Sequence, residues 1–384
     1  MNDTSTTDRP GPSPAGPPRE QGATSPENRR GVLDVLARFQ GVLVPIVALL
    51  VAFAIGAALI RLQGVNPAFA YTTLFRDALL TESGLLRTLQ KATPLILSGL
   101  AVVIGLRVGL FNIGAQGQLL WGAIGAAYVG VHLAGAPAVV ILPAALLAGI
   151  ACGAVWAGIA GLLKAYRGVH EVISTIMLNS VAAGVIDWLV SFPLKEPGQS
   201  IPRSSAIDPA AELSNLGFVP VGFVVALALA GLIAWILRRT TAGFRFDTVG
   251  ANRDAAHYAG IRIPLVVTAA MCASGALAGL GGAIETLGVV GRYETGSSAG
   301  LGFDGITIAL LARANPLATI PAALLVGVLR SGAAGLQFET GIQPEVVDVL
   351  LAVTLLLVSI PVLARVLFGR RARDGVSLTS GWGS

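Results

Sequence analysis

Residues 109–118 read GLFNIGAQGQ, and long apolar runs flank them on both sides. Three glycines, one asparagine and two glutamines thus stand where a membrane span is due. In hydrocarbon a helix breaks only where protein or a water-filled cavity satisfies the freed backbone groups, so this stretch belongs inside a bundle. If it is helical, Asn112 and Gln116 lie four residues apart and share a face. They offer neutral donors and acceptors without the cost of a buried charge. Two readings stand: the amides meet a solute rich in hydroxyls or amides, or the glycines allow close packing and the amides join neighbouring helices.

The surrounding chain has 54% hydrophobic and 12% charged residues over 384 positions, with a mean hydropathy of +0.75. Soluble domains do not have this composition. A helical span needs about 20 mostly apolar residues, and positions 41–369 offer roughly ten such stretches. The runs do not alternate as barrel strands would. The expected fold is all-α: a polytopic transmembrane bundle of about ten spans, some broken or short. Residues 1–40, rich in Pro, Gly, Ser and Thr, read as a disordered cytoplasmic tail, 41–369 as the transmembrane domain and 370–384 as a cytoplasmic C-terminal tail.

The expected spans are 41–60, 94–110, 119–133, 138–163, a fifth ending near 190, 217–237, 264–290, 302–312, 317–336 and 346–368. Basic residues cluster at Arg29, Arg30 and Arg38, at Lys164 and Arg167, at five arginines from Arg238 to Arg262, and at Arg370, Arg371 and Arg373. With ten spans all four clusters face the cytoplasm, which puts both termini inside and 191–216 outside. Arg61, Arg76, Arg87 and Lys91 fall on the outer side against this bias. Five spans per half also permit an inverted repeat, with 109–118 and 296–316 as its broken elements.

Further polar residues interrupt the apolar runs. In HEVISTIMLN (170–179), Glu171, Thr175 and Asn179 fall within an arc of about 80° on a helix. That stripe suits a solute pathway or a subunit interface, while Glu171 also suits a helix N-terminus. Glu285 lies in the glycine-rich run ALAGLGGAIETLG (276–288), where an ionisable group faces a cavity, a partner or the outer interface. Gly275 and Gly279 have the spacing of a close helix contact. Between the sixth and seventh spans, VGANRDAAHYAGI (249–261) sets Asn252 as N-cap, a short helix over 253–259, and Gly260 as its stop.

Several function classes are excluded or weakened. The net charge of +5 and pI near 9.6 come from arginines at the ends of apolar runs, not from a basic face for nucleic acid. Cys152 and Cys272 have no partner spacing, and His132, His170 and His257 are far apart, so neither metal nor cofactor is expected. No catalytic motif appears. A P-loop needs Gly-Lys-Ser/Thr, whereas Lys91, Lys164 and Lys195 follow Gln, Leu and Leu, so ATP hydrolysis requires another chain.

LFNIGAQGQ (110–118), HEVISTIMLN (170–179), VGANRDAAHYAGIRI (249–263) and GFDGITIALLARANPL (302–317) together resemble the permease subunit of ABC importers of the ribose-permease superfamily. The branch resembled serves nucleosides through lipoprotein binding proteins of the basic membrane protein type. The resemblance implies a cytoplasmic (inner) membrane permease for a small neutral solute, with a separate ABC ATPase subunit, a second permease subunit, identical or related, and an extracytoplasmic solute-binding lipoprotein. The residues read above as candidates for its solute pathway are Asn112, Gln116, Glu171, Thr175, Asn179 and Glu285, and the resemblance implies an ATPase-coupling loop at Asn252, Arg253, Ala256 and Gly260. The chain departs from the branch at Gln116, where Glu is usual, and at Ala312 or Arg313, where Gly precedes NPL. The alternatives are a sugar or branched-chain amino-acid ABC permease, or an ion-coupled secondary transporter with Glu285 as its ion site.

Overall fold

The computed structural model describes residues 46–343 and 345–359, so both tails and the basic groups they carry lie outside the described residues. The chain opens with α1 (Ile46–Leu62) and α2 (Pro67–Leu79), which meet at 115°. Asn66 caps α2 by accepting from Ala68 N–H at 3.0 Å. There follow α3 (Glu82–Arg107), α4 (Ala115–His132), α5 (Ala138–Arg167), α6 (Glu171–Ser191) and α7 (Val221–Arg239). Two short helices, α8 (Thr241–Ala251) and α9 (Arg253–Tyr258), lead to α10 (Ile263–Glu285), which a π-helical turn extends to Val290. The half-length α11 (Leu301–Leu311), α12 (Thr319–Thr340) and α13 (Glu345–Ser359) complete the described residues. The only strands described are two of two residues each, in the 192–220 connection.

Among the described residues six helices are long and apolar enough to cross a membrane, and the α1–α2 pair makes seven if it is one bent span. Multi-pass helical architecture is therefore as expected, but three of the ten expected spans do not pass the same test. At 11 residues, α11 is about 16 Å long, half of the hydrocarbon core. It is a half-helix, not a span. In α4, AlaGlnGlyGln at the start dilutes 18 otherwise apolar residues, and α13 is described for 15 residues.

The second span differs most from expectation. It begins at Glu82 rather than at Pro94, and Arg87, Lys91 and Pro94 all lie inside α3. Thr81 starts it by accepting from Gly84 N–H at 3.0 Å. A proline removes one backbone hydrogen bond, which tertiary packing offsets here: α3 is the most enclosed span, with every residue from Ala92 to Gly105 buried. Ser98, one turn beyond Pro94, donates to Pro94 O at 2.8 Å.

The packing is interlocked between halves. The first-half helix α3 packs against α10, α11 and α12, and the second-half helix α10 packs against α3, α4 and α5. Glycines make the second set close. A Cβ on Gly279 would overlap the Gly149 carbonyl oxygen and press on Gly153 Cα, and one on Gly122 would overlap Gly279 itself. The Gly275–Gly279 spacing thus marks a backbone-to-backbone contact of α10 with α4 and α5.

The two ends of the bundle differ. At one end lie the C-termini of α3 and α5, the start of α6, and α8–α9. At the other, the 192–220 connection folds over α4 and α10: Ile207 N–H donates to Gly291 O at 3.0 Å, Asp208 N–H to Gly130 O at 3.0 Å and Leu213 N–H to Leu287 O at 2.9 Å. Backbone N–H groups of Ala210 and Gly135 bond the Asp208 carboxylate and hold its pKa below the ordinary value.

The turn after α11 explains one departure from the resembled branch. Arg313 and Ala314 both adopt left-handed backbone, with φ of 51° and 54°. Such a conformation costs a residue with a Cβ about 1 kcal/mol, and glycine nothing. Arg313→Gly is expected to raise the stability of the purified protein by about 0.5–1 kcal/mol in a thermal-shift assay. An unchanged or lower midpoint would show that the Arg313 side chain offsets the strain.

Candidate functional site

The stretch 109–118 is a reversal followed by a buried helix start. Leu110 N–H donates to Gly105 O at 2.9 Å, and Gly109 takes φ of +70° to turn the chain back into the bundle. α4 then starts at Ala115, below the surface of the protein. From the opposite end, 291–300 descends and α11 starts after Gly300, at φ +83°. The starts of α4 and α11 meet directly: a Cβ on Gly302 would overlap the Gln116 backbone.

Gln116 joins these starts. Its Nε2 donates to Ser298 O at 3.0 Å and its Oε1 accepts from Gly302 N–H at 2.8 Å. Asn112, with no exposed surface, donates to Gln118 Oε1 at 3.0 Å and Ser274 Oγ at 2.8 Å. Its Oδ1 accepts from Gly114 N–H at 2.9 Å and Gln118 Nε2 at 3.1 Å. Ser274 passes the chain on to Ala101 O at 2.6 Å. Asn179 of α6 accepts from Gly117 N–H at 2.8 Å and donates to Ile113 O at 2.9 Å. These amides satisfy the backbone groups that the break sets free, as hydrocarbon requires.

The other expected pathway residues lie apart from this network. Thr175 sits beside Gly114, and its hydroxyl bonds back to Glu171 O at 2.7 Å. Glu171 pairs with Lys164 at 2.8 Å near the α8–α9 end. Glu285 lies toward the opposite end, its side chain fully enclosed, and accepts from Lys91 Nζ at 3.2 Å. Lys91, expected outside the second span, is in fact a partner for the buried acid across α3 and α10. Lys91→Met is therefore expected to cost about 3 kcal/mol, the low end for breaking a buried pair because Lys91 stays partly open. Lys91→Met with Glu285→Gln should recover most of it. Equal melting points for the wild type and the single variant would count against the pair.

In the expected coupling loop, Asn252 Oδ1 accepts from Ala255 N–H at 3.0 Å and caps α9, while Gly260 has φ of +74°. The helix ends at Tyr258, one residue before the expected limit. Ala256 is completely buried and faces the bundle, so within this loop it packs inward. The side chains turned outward are Asp254, Ala255, His257 and Tyr258, the last 90% exposed. Arg253 is half-buried.

Three features escaped the sequence reading. α8 packs its backbone on the reversal: a Cβ on Gly250 would overlap the Arg107 carbonyl, and Arg107 pairs with Asp247 at 3.3 Å. Burial raises the Asp247 pKa above its ordinary value, while Arg107 pulls it down. Ser274 supplies a hydroxyl that no spacing rule singles out. Asp304 of α11 pairs with Arg330 of α12, which also reaches Asp348 of α13 at 3.3 Å. The rule that flagged Glu285, an ionisable group within an apolar run, would have found Asp304 and Arg330.

Residues 84–359 match the family described as branched-chain amino acid transport system / permease component. A guanosine ABC transporter permease protein of Bacillus subtilis is 36% identical over 350 residues, covering 89% of this chain and all of the relative. A glucose ABC transporter permease protein of Haloferax volcanii is 35% identical, covering 81% of this chain and 85% of the relative. A nucleoside ABC transporter permease protein of Lactococcus lactis subsp. cremoris is 32% identical, covering 85% and 93%. With its multi-pass helical bundle and this match over most of its length, the chain belongs to the branched-chain amino acid transport system permease component family, as a membrane permease of the ABC-transporter type.

Proposed function

We propose that this chain is the membrane-spanning permease subunit of an importer that carries nucleosides across the cytoplasmic membrane, powered by a separate ATPase subunit. Residues 41–369 form the permease domain, both tails and the α8–α9 element face the cytoplasm, and 192–220 faces outside. A second permease subunit completes the pathway, and an extracytoplasmic lipoprotein delivers the solute. Asn112, Gln116 and Asn179 frame the route by fixing the starts of α4 and α11, Thr175 sits beside them, and Glu171 and Glu285 lie near its two ends. Asn252 and Gly260 shape the coupling loop, Arg253 opens its helix, and Ala256 anchors it inward.

The contact of α8 with the reversal at Arg107–Gly109 carries this reading. A push on α9 from an ATPase passes through Gly250 and Asp247 to the point where the chain enters the broken helix. Packed backbones transmit such a displacement because neither side has a compressible side chain between them. The basic residues Arg238, Arg239, Arg245, Arg253 and Arg262 flank the same element, which supports its cytoplasmic placement. The relatives named for guanosine and nucleosides favour that solute class. The glucose relative, of nearly equal similarity, supports a sugar as the second reading.

The deciding experiment reconstitutes the chain with its ATPase and binding-protein partners and measures ATP hydrolysis with guanosine, other nucleosides, glucose and branched-chain amino acids. Stimulation by nucleosides alone is expected; stimulation by glucose alone would move the assignment to the sugar reading. In the same assay Tyr258→Ala should lower stimulated hydrolysis at least about tenfold, as loss of an exposed aromatic anchor does at interfaces. Its insertion and melting point should stay normal. Full stimulation in that variant would place docking elsewhere.

A further inference from the structure

A cleft of about 560 Å³ opens between the last turn of α5 and the junction of α9 with α10, lined by Tyr166, His257, Arg262, Ile263, Pro264 and Leu265 among others. Among the described residues no acidic side chain lines it. Arg262 makes neither an ion pair nor a side-chain hydrogen bond among the described residues, and Arg167, next to Tyr166, makes no ion pair among them. The one acid at the adjoining start of α6, Glu171, is already taken by Lys164. The cleft is thus a recess with one unneutralised cation, Arg262, and an aromatic hydroxyl at the rim of a membrane span, and the exposed Arg167 stands next to that tyrosine.

Its other wall is apolar and continues toward the membrane. Leu265 is 60% exposed and Tyr166 68% exposed. From Tyr166 an exposed stripe runs back along α5 through Leu162, Ile159 and Val155, at the spacing of one helix face. A ligand that suits both walls is anionic at one end and carries a long hydrocarbon at the other. Basic recesses between transmembrane helices at the cytoplasmic face take anionic lipid headgroups on these grounds.

We propose that this cleft is a binding site for an anionic phospholipid, with the phosphate at Arg262 and Tyr166 and an acyl chain along the α5 stripe. The site does not depend on which solute the permease carries. It differs from a docking surface for another protein in having a lipid-facing hydrocarbon track as its continuation.

The test places the full chain in nanodiscs of equal phosphatidylglycerol and phosphatidylcholine and counts lipids retained on the released protein by native mass spectrometry. Phosphatidylglycerol should be enriched, and Arg262→Gln should reduce the enrichment about fivefold, the effect of one basic residue near an anionic lipid. Arg167→Gln, at an exposed position, should reduce it in the same direction and serves if Arg262→Gln does not fold. Millimolar glycerol phosphate should leave the enrichment intact. Enrichment at the wild-type level in both variants would overturn the proposal. So would displacement by glycerol phosphate, which would indicate a site for free phosphate, or loss of the lipid when the ATPase subunit binds, which would make the cleft part of that interface.

Discussion

Gly279→Leu is expected to abolish accumulation of folded, membrane-inserted protein. The position has no room even for a methyl group, since the obstacles are the Gly149 carbonyl and the Gly153 backbone rather than movable side chains. Overpacking in a core costs about 1–3 kcal/mol when side chains can shift, and more where backbone must move. Here the shift would also separate α10 from α4 and α5, and so the second half of the chain from the first. Gly231→Leu is the matched control, because among the described residues nothing lies within 4 Å of a Cβ at that position on α7. Fluorescence-detected size exclusion of the two variants is the measurement. A monodisperse Gly279→Leu protein with a wild-type melting point would contradict the interlocked packing.

The second large effect concerns the junction of the α4 and α11 starts. Asn112→Leu removes four hydrogen bonds at once and leaves Gly114 N–H and both ends of the Gln118 amide without their partner. Each buried orphan costs about 1–3 kcal/mol, so a fall of several kcal/mol in local stability is expected. Gln116→Leu acts differently, since it frees Ser298 O and Gly302 N–H at the contact of α4 with α11 while the Asn112 network stays whole. Solute transport normalised to assembled complex should drop at least tenfold in Asn112→Leu, about the effect of 1.4 kcal/mol or more at the working geometry. Gln116→Leu should lower transport with a smaller change in melting point, and binding-protein affinity should be unaffected in both. Near-normal transport in both variants would reduce the amides to packing groups and place the pathway elsewhere.

These two predictions draw on different kinds of information. Composition and run length alone determined that the chain is a helical membrane protein, because hydrocarbon leaves a backbone few ways to satisfy its polar groups. The same rule made residues 109–118 a buried break, and Asn252 with Gly260 bounded α9, since capping and left-handed turns are local chemistry. The spacing of Gly275 and Gly279 signalled a close contact for the same reason.

Partners across the bundle were not legible. Nothing local tells that Asn112 meets Ser274, that Gln116 meets Ser298 and Gly302, or that Lys91 belongs inside a span because Glu285 waits there. The inward face of Ala256 was hidden likewise, since a six-residue helix is too short for periodicity to mark its buried side. The sequence by itself determined which groups needed partners; the interlocking of the two halves, a matter of long-range packing, decided which partners they received.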